Sequence, residues 1–199
     1  MIDIRIMAHP SRRDNVMETL SVLSLPEDVV TWDDREVGGD AMYTAQKAWN
    51  ASIPDGCTHR LVLQADIEIC NGFLAIVNVV AEKHPAQVVS FFHCENYDDI
   101  QRYIRTSRLW GCAVMIPTHL IKDCWEYIKH IPEKPWCTCP ELVMPHDTDC
   151  IMLWATENGV PIINTVPSLV QHIGDESLVG FKEKRIAQDF VKSPPLTGW

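Results

Sequence analysis

The chain has 199 residues, 46% of them hydrophobic, enough for one domain with a continuous core. It has no long uncharged apolar run, which argues against a membrane-spanning helix. Its 27 acids against 17 Lys and Arg give a formal net charge of -10, which argues against a broad electrostatic hold on DNA or RNA but leaves room for a local basic cleft.

Ile2–Met7 alternates, carries charge at Asp3 and Arg5, and reads as a first strand, not as a secretion signal. His9-Pro10-Ser11-Arg12-Arg13 follows. Pro10 ends the strand, and Ser11 suits the cap of a helix running from near Arg12 to about Leu23. Arg12 and Arg13 have the wrong sign for the positive end of a helix dipole, so they either reach solvent or meet an anion. Val29–Trp32 is a second strand, ended by Asp33-Asp34. Acids at that place in an alternating α/β chain often meet a ribose hydroxyl or a base edge. Val37–Asp40 is a glycine-containing loop without the dinucleotide fingerprint or a P-loop. A helix is expected from about Ala41 to Ala51, ended by the Pro54-Asp55-Gly56 turn.

Leu61–Gln64 reads as a buried strand, followed by Asp66 and Glu68. Residues i and i+2 of an extended segment face one way, so these carboxylates repel unless they face water or share a cation. Phe73–Glu82 suits a buried helix and Val88–Phe92 a strand, which completes a βαβαβαβ order. Arg102, Arg105 and Arg108 recur at a spacing that predicts a helix over Glu95–Arg108 with a basic stripe, either solvated or in contact with phosphate. Trp110–Ile116 is a strand whose small opening residues suit a close backbone approach, and Thr118–Lys129 is a helix. Residues 132–146 form a Pro-rich connection containing Trp136. His146-Asp147-Thr148-Asp149 then precedes an apolar helix, Cys150–Glu157, which Thr148 or Asp149 could cap. Val160–Ile163 is a short strand, His172 stands next to the turn glycine Gly174, and Phe181–Trp199 is a mixed tail.

The eight scattered cysteines suit reduced thiols, and Cys137-Thr138-Cys139 has a spacing that suits zinc poorly. There is no nucleophile elbow for serine hydrolysis, and no cysteine sits at an electropositive helix start. Asp66, Glu68 and His172 make a plausible oxygen and nitrogen ligand set for a divalent cation. Asp147 and Asp149 are candidates for a general base.

The segments IMAHPSRRDNV, HRLVLQADIEICNGF, LWGCAVMIP, PHDTDCIMLWA and VPSLVQHIGDESLVG together resemble a small nucleotide-sugar glycosyltransferase of the GT-A fold, of bacterial or phage type. The resemblance implies an α/β/α layered domain with a mostly parallel central sheet over residues 1–180, and a flexible or lid-like tail over 181–199. It implies that Asp66-Ile67-Glu68 stands for the Asp-x-Asp motif that binds Mn2+ or Mg2+ and the donor diphosphate; Glu68 departs from that pattern by one methylene. It implies a metal-ligating His172, donor contacts at His9, Pro10, Arg12, Arg13, Asp33, Asp34 and Gln64, and a donor-sugar region at Trp110, Gly111 and Cys112. It implies a base at Asp149 or Asp147, with Asp149 preferred, if the anomeric centre inverts. The implied donor is a nucleoside-diphosphate sugar, a UDP-sugar favoured. The acceptor is a hydroxyl of a glycan or, less readily at this net charge, of a hydroxymethylated DNA base. The implied location is the cytoplasm, or a host's cytoplasm for a phage protein. The alternatives are a nucleotidyltransferase acting on sugar phosphates, against which the glycine-free His9–Arg13 loop counts, and a non-catalytic nucleotide-binding relative.

Overall fold

Leu61, Val62 and Leu63 are all buried, yet they belong to two different cores. They lie on β3 (His59–Gln64), whose alternating side chains enter opposite faces of one sheet. The computed structural model describes residues 1–34, 41–95, 97, 102–131, 146–174 and 185–199. Within them the seven-stranded sheet also contains β1 (Ile2–Ala8), β2 (Val30–Trp32), β5 (Val88–Ser90), β6 (Tyr103–Thr106), β7 (Ala113–Pro117) and β8 (Ile162–Thr165). A separate two-stranded sheet pairs β4 (Ile67–Ile69) with β9 (Val170–His172).

The strand order is β2-β1-β3-β7-β5-β8-β6. β2, β1, β3, β5 and β8 run one way, and β7 and β6 run against them. The sheet is therefore mixed and mostly parallel. One face packs Ile6, Leu61, Leu63 and Met115 against α1 (Arg13–Leu23) and α3 (Phe73–Lys83). The other packs Met7, Val62, Val114 and Ile116 against α2 (Ala41–Trp49), α4 (Thr118–Lys129) and α5 (Asp147–Glu157). Helices on both faces give the α/β/α layering expected from the alternating order.

A buried polar bond ties α2 to the sheet. Arg60 is fully buried on β3 and pairs with its register partner Asp3 on β1, donating from Nε to Oδ2 at 2.6 Å. Its other nitrogens donate to the carbonyls of Trp49 and Ser52, at 2.5 and 3.0 Å, just where α2 ends. A cation at those orphan carbonyls is favourable for the helix terminus.

Several local expectations are corrected. Tyr103–Thr106 is an edge strand paired antiparallel with β8, so Arg102, Arg105 and Arg108 do not form a helical stripe. Arg102 lies 4.9 Å over the Trp199 ring, and Arg108 pairs with Glu95 at 3.5 Å. α5 starts at Asp147, so Thr148 and Asp149 lie inside its first turn and neither is its N-cap residue, which is His146, whose own side chain makes no capping bond. Ser11 does not cap α1 either. His9 caps the short 3-10 turn Pro10–Arg12, its Nδ1 accepting from the Ser11 N–H at 3.2 Å. Trp136, Cys137 and Cys139, the 37–40 loop and residues 181–184 of the tail lie outside the described residues. Residues 185–199 are docked, with Ala187 and Trp199 in the core. No described helix is long and apolar enough to cross a membrane.

Candidate functional site

The chain leaves β1 for β2 on one side and then returns to β3 on the other, which makes the β1/β3 boundary a topological switch point. Open α/β sheets place ligands outside the carboxyl ends of strands at such points. At this edge the Asp33 N–H donates to Ala8 O at 2.8 Å, and the Gln64 N–H donates to Cys112 O at 2.8 Å. The edge therefore brings together the His9–Arg13 turn, Asp33, Gln64, Ala65-Asp66 and the Gly111-Cys112 turn ahead of antiparallel β7. Cys112 adopts a left-handed φ of 76°, unusual for a residue with a Cβ, in a turn held between Gln64 and the core.

Asp66 leads into β4, and its side chain meets the end of β9. Its Oδ2 lies 3.3 Å from His172 Nε2. Burial pushes the Asp66 carboxyl up, but the hydrogen bond and charge of His172, with a contribution from Arg12, hold it below the ordinary value. Gly174 closes on this pair: a Cβ there would come within 2.8 Å of Asp66 Oδ2 and 3.2 Å of the imidazole. His172 Nδ1 is buried and makes no hydrogen bond.

These two residues offer two candidate ligands for a divalent cation, a carboxylate oxygen and the imidazole Nε2, adjacent to each other. Glu68 stands apart from them. It shares the half-exposed side of β4 with Asp66, but its Oε1 pairs with Lys192 Nζ at 2.8 Å. No group of three His, Cys, Asp or Glu side chains capable of holding a metal exists among the described residues.

The remaining expected residues divide the same way. Arg13 pairs with Glu27 at 2.9 Å and lies 5.5 Å over Trp32. Asp34 pairs with Lys47 at 3.0 Å. Trp110 donates from Nε1 to Glu95 Oε2 at 2.9 Å. A Cβ on Gly111 would lie 3.1 Å from Gln64 Nε2 and 3.8 Å from the Thr148 methyl, which places the start of α5 against the same edge. A recess of about 10 Å3, room for about one water, lies there, bounded by Trp49, Gln64, Gly111, Cys112, Asp147 and Thr148 among others.

The two late acids differ. Asp147 is buried, and its Oδ2 accepts from the Trp49 indole N–H at 3.0 Å. Burial raises its pKa despite that bond. Asp149 is only partly buried. Burial raises it too, although the charges of His146 and Arg185 and a hydrogen bond from the His146 backbone N–H pull the other way. That bond from the residue before the helix to its third residue is half of a capping box. Burial likewise pushes the Cys94 thiol up to about 11 and Cys112 well above its ordinary value, so neither is a ready nucleophile.

Sequence reasoning missed Trp49 as the partner of Asp147, and missed Arg185, whose guanidinium lies 5.2 Å over the Trp110 ring. Neither stands in a motif; each reaches the site from a distant part of the chain.

Among solved structures, the chain is similar to a glycosyltransferase involved in the glycosylation of the major capsid of PBCV-1, at TM-score 0.50 and 13% identity over 87% of this chain and 96% of that one. It also matches a putative glucose-1-phosphate thymidylyltransferase from Bacillus anthracis, in complex with a sucrose, at TM-score 0.46 and 12% identity over 86% and 89% of the two chains. No protein-family model and no curated protein matches the sequence. The first likeness, with the strand order and layering above, gives a GT-A-like α/β/α fold.

Proposed function

We propose that this chain is a glycosyltransferase that moves a sugar from a nucleoside-diphosphate sugar, a UDP-sugar favoured, to a hydroxyl acceptor. The observation that carries this reading is the Asp66–His172 pair, 3.3 Å apart beyond the carboxyl end of β3, at the switch point of a GT-A-like sheet. Asp66 and His172 would hold a Mn2+ or Mg2+ ion, which supplies positive charge to a diphosphate leaving group.

The chain's own residues divide the remaining work. Asp33 and the His9–Arg12 turn would receive the nucleoside, and Gln64, Gly111 and Cys112, gathered at the same edge, would receive the sugar. Asp149 is the base in an inverting transfer. It takes the proton of the acceptor hydroxyl as that oxygen bonds to the anomeric carbon and the bond to the diphosphate oxygen breaks. Asp147 is a supporting residue, because its carboxylate is buried against Trp49.

Calorimetric titration with UDP and GDP, with and without manganese, tests the reading. Metal-enhanced binding of one of them, lost in Asp66→Ala, supports it; no nucleotide binding under any metal condition ends it. A mass-detected hydrolysis screen of nucleotide sugars then identifies the donor without knowledge of the acceptor.

A further inference from the structure

His93 is fully buried, shortly beyond the carboxyl end of β5, and both of its ring nitrogens face oxygen. Nδ1 lies 2.9 Å from the Glu95 backbone carbonyl, which can only accept. Nε2 lies 3.0 Å from Oδ2 of Asp189, a half-buried residue of the 185–199 segment. Either neutral tautomer sets a nitrogen lone pair against one of these oxygens. Only the doubly protonated ring donates to both. A cation buried this deeply needs an anion beside it, and Asp189 is the carboxylate paired with it.

The other groups that face the pair are neutral. The His93 ring lies against Tyr97, with centroids 4.8 Å apart, and the Tyr97 hydroxyl donates to Glu95 Oε2 at 2.8 Å. Ser168 Oγ accepts from the His93 backbone N–H at 3.2 Å. The Glu95 carboxylate, the next charge along that loop, is engaged by Tyr97, Trp110 and Arg108. The His93–Asp189 contact itself depends on charge more than on alignment. Its atoms approach to 3.0 Å, yet neither Nε2 nor either Asp189 oxygen makes a well-aligned hydrogen bond. Neutralising one partner therefore removes most of what holds them together.

The two halves of the 185–199 segment are fastened differently. Towards its end the chain is held without reference to protons. The Asn71 N–H donates to Lys192 O at 2.7 Å, the Asn71 side chain donates to Ser193 Oγ at 2.8 Å, and Trp199 is buried in the core. The earlier half rests on Asp189 and on Ala187, which exchanges two hydrogen bonds with the Gln171 side chain at 2.9 and 3.0 Å. Gln171 stands directly before His172 on β9, so this half touches the strand that carries the candidate metal ligand.

We propose that His93 and Asp189 form a proton-operated latch: residues 185–189 are fastened to the loop after β5 while His93 is an imidazolium and Asp189 a carboxylate, and are released when either loses its charge, with residues 192–199 staying docked. The latch opens as pH rises and the ring gives up its second proton. It opens again in acid as Asp189 is protonated. Burial pushes that carboxyl up, but His93 and Ser168 hold it below its ordinary value, so the closed range extends further into acid than an ordinary carboxylate allows.

The test is hydrogen exchange of the full chain followed residue by residue by NMR from about pH 6 to about pH 9, for the unaltered protein and D189N. The Ala187 amide, which donates to the Gln171 side chain, reports on the latched half, and the Asn71 amide, which donates to Lys192 O, on the docked half. Nitrogen NMR of the imidazoles reads the protons on His93 directly, and near-ultraviolet circular dichroism checks that D189N keeps its packing. The expected result is that both His93 nitrogens are protonated at about pH 6 and that Ala187 protection falls by about tenfold or more as pH rises, with Asn71 protection unchanged. In D189N, Ala187 protection should be low at every pH. A neutral His93 ring at about pH 6, or Ala187 protection that does not change with pH, overturns the proposal. A pH dependence that persists in D189N also overturns it, because it then belongs to the Asp66–His172 pair beside Gln171, which that variant leaves intact. Parallel loss at Asn71 overturns the separation of the two halves. No nucleotide enters the test, so its outcome is independent of the transferase reading.

Discussion

The Trp49 indole N–H donates to Asp147 Oδ2 at 3.0 Å inside the core, and that bond distinguishes the surroundings of two acids in one helical turn. Two residues along a helix turn a side chain by about 200°, so Asp147 and Asp149 face different surroundings. Trp49→Phe leaves the Asp147 oxygen without its buried donor and is expected to cost about 1–3 kcal/mol, measured by urea unfolding. Asp149→Asn keeps an oxygen for the His146 N–H and removes a carboxylate whose ionisation burial opposes. Its stability at neutral pH should match or exceed that of the unaltered chain, while sugar transfer falls by about 10²–10⁴-fold. A fully active Asp149→Asn enzyme would exclude Asp149 as base.

Activity should also carry the sign of that burial. Asp149 must be ionised to accept a proton, and its pKa lies above 3.8. The acid limb of a kcat/KM profile is therefore displaced upward from an ordinary carboxylate's, with activity rising with pH through the raised value. Stability at Asp66 and Asp189 is also lost in acid but at lower pH, because His172 and His93 hold both carboxyls below 3.8 in the fold against the effect of burial. Each contributes stability that is present above the unfolded carboxyl's pKa and lost as pH falls through the lower folded value. Parallel pH titrations of activity and unfolding should separate the two effects. A common midpoint would contradict the assignment.

Much of this fold is legible because apolar periodicity follows burial. Ile2–Met7 alternates and is β1 but for one residue, and Thr118–Lys129 is α4 from end to end. Asp66 and His172 are legible as candidates because polar residues interrupt apolar segments. Their meeting is not, since it depends on the two short strands β4 and β9 pairing across the fold. Residues 103–106 mislead because arginines every third position imitate a helical face, whereas edge pairing with β8 decides the conformation. Arg185 and Asp189 leave no local signal: their partners, Trp110 and His93, lie far back in the chain.

The Arg60–Asp3 pair gives a stability prediction independent of chemistry. Asp3→Ala strands a fully buried guanidinium that still faces the Trp49 and Ser52 carbonyls. Removing one partner of a buried ion pair costs about 3–5 kcal/mol, so this variant should unfold at markedly lower urea. The double variant Asp3→Leu/Arg60→Met removes both charges and should recover part of the loss, although it leaves the end of α2 without its donor. A loss in the double variant equal to the sum of the two single losses would show that the pair is not coupled.

Glu68 is the remaining acid of the motif, and its geometry assigns it to the chain's own C-terminal segment. Its carboxylate meets Lys192, 2.8 Å away, while Asp66 meets His172. A half-exposed pair of this kind is worth about 1 kcal/mol or less, so Glu68→Gln should barely move the unfolding midpoint. It should increase amide hydrogen exchange in the segment around Lys192, whose ammonium then keeps only the Ile69 carbonyl. Manganese-enhanced nucleotide affinity should survive Glu68→Gln and be lost in Asp66→Ala and His172→Ala. If Glu68→Gln abolishes the manganese effect as fully as Asp66→Ala does, the carboxylate leaves Lys192 for the metal when the nucleotide binds, and the Glu68–Lys192 contact belongs to the unliganded chain alone.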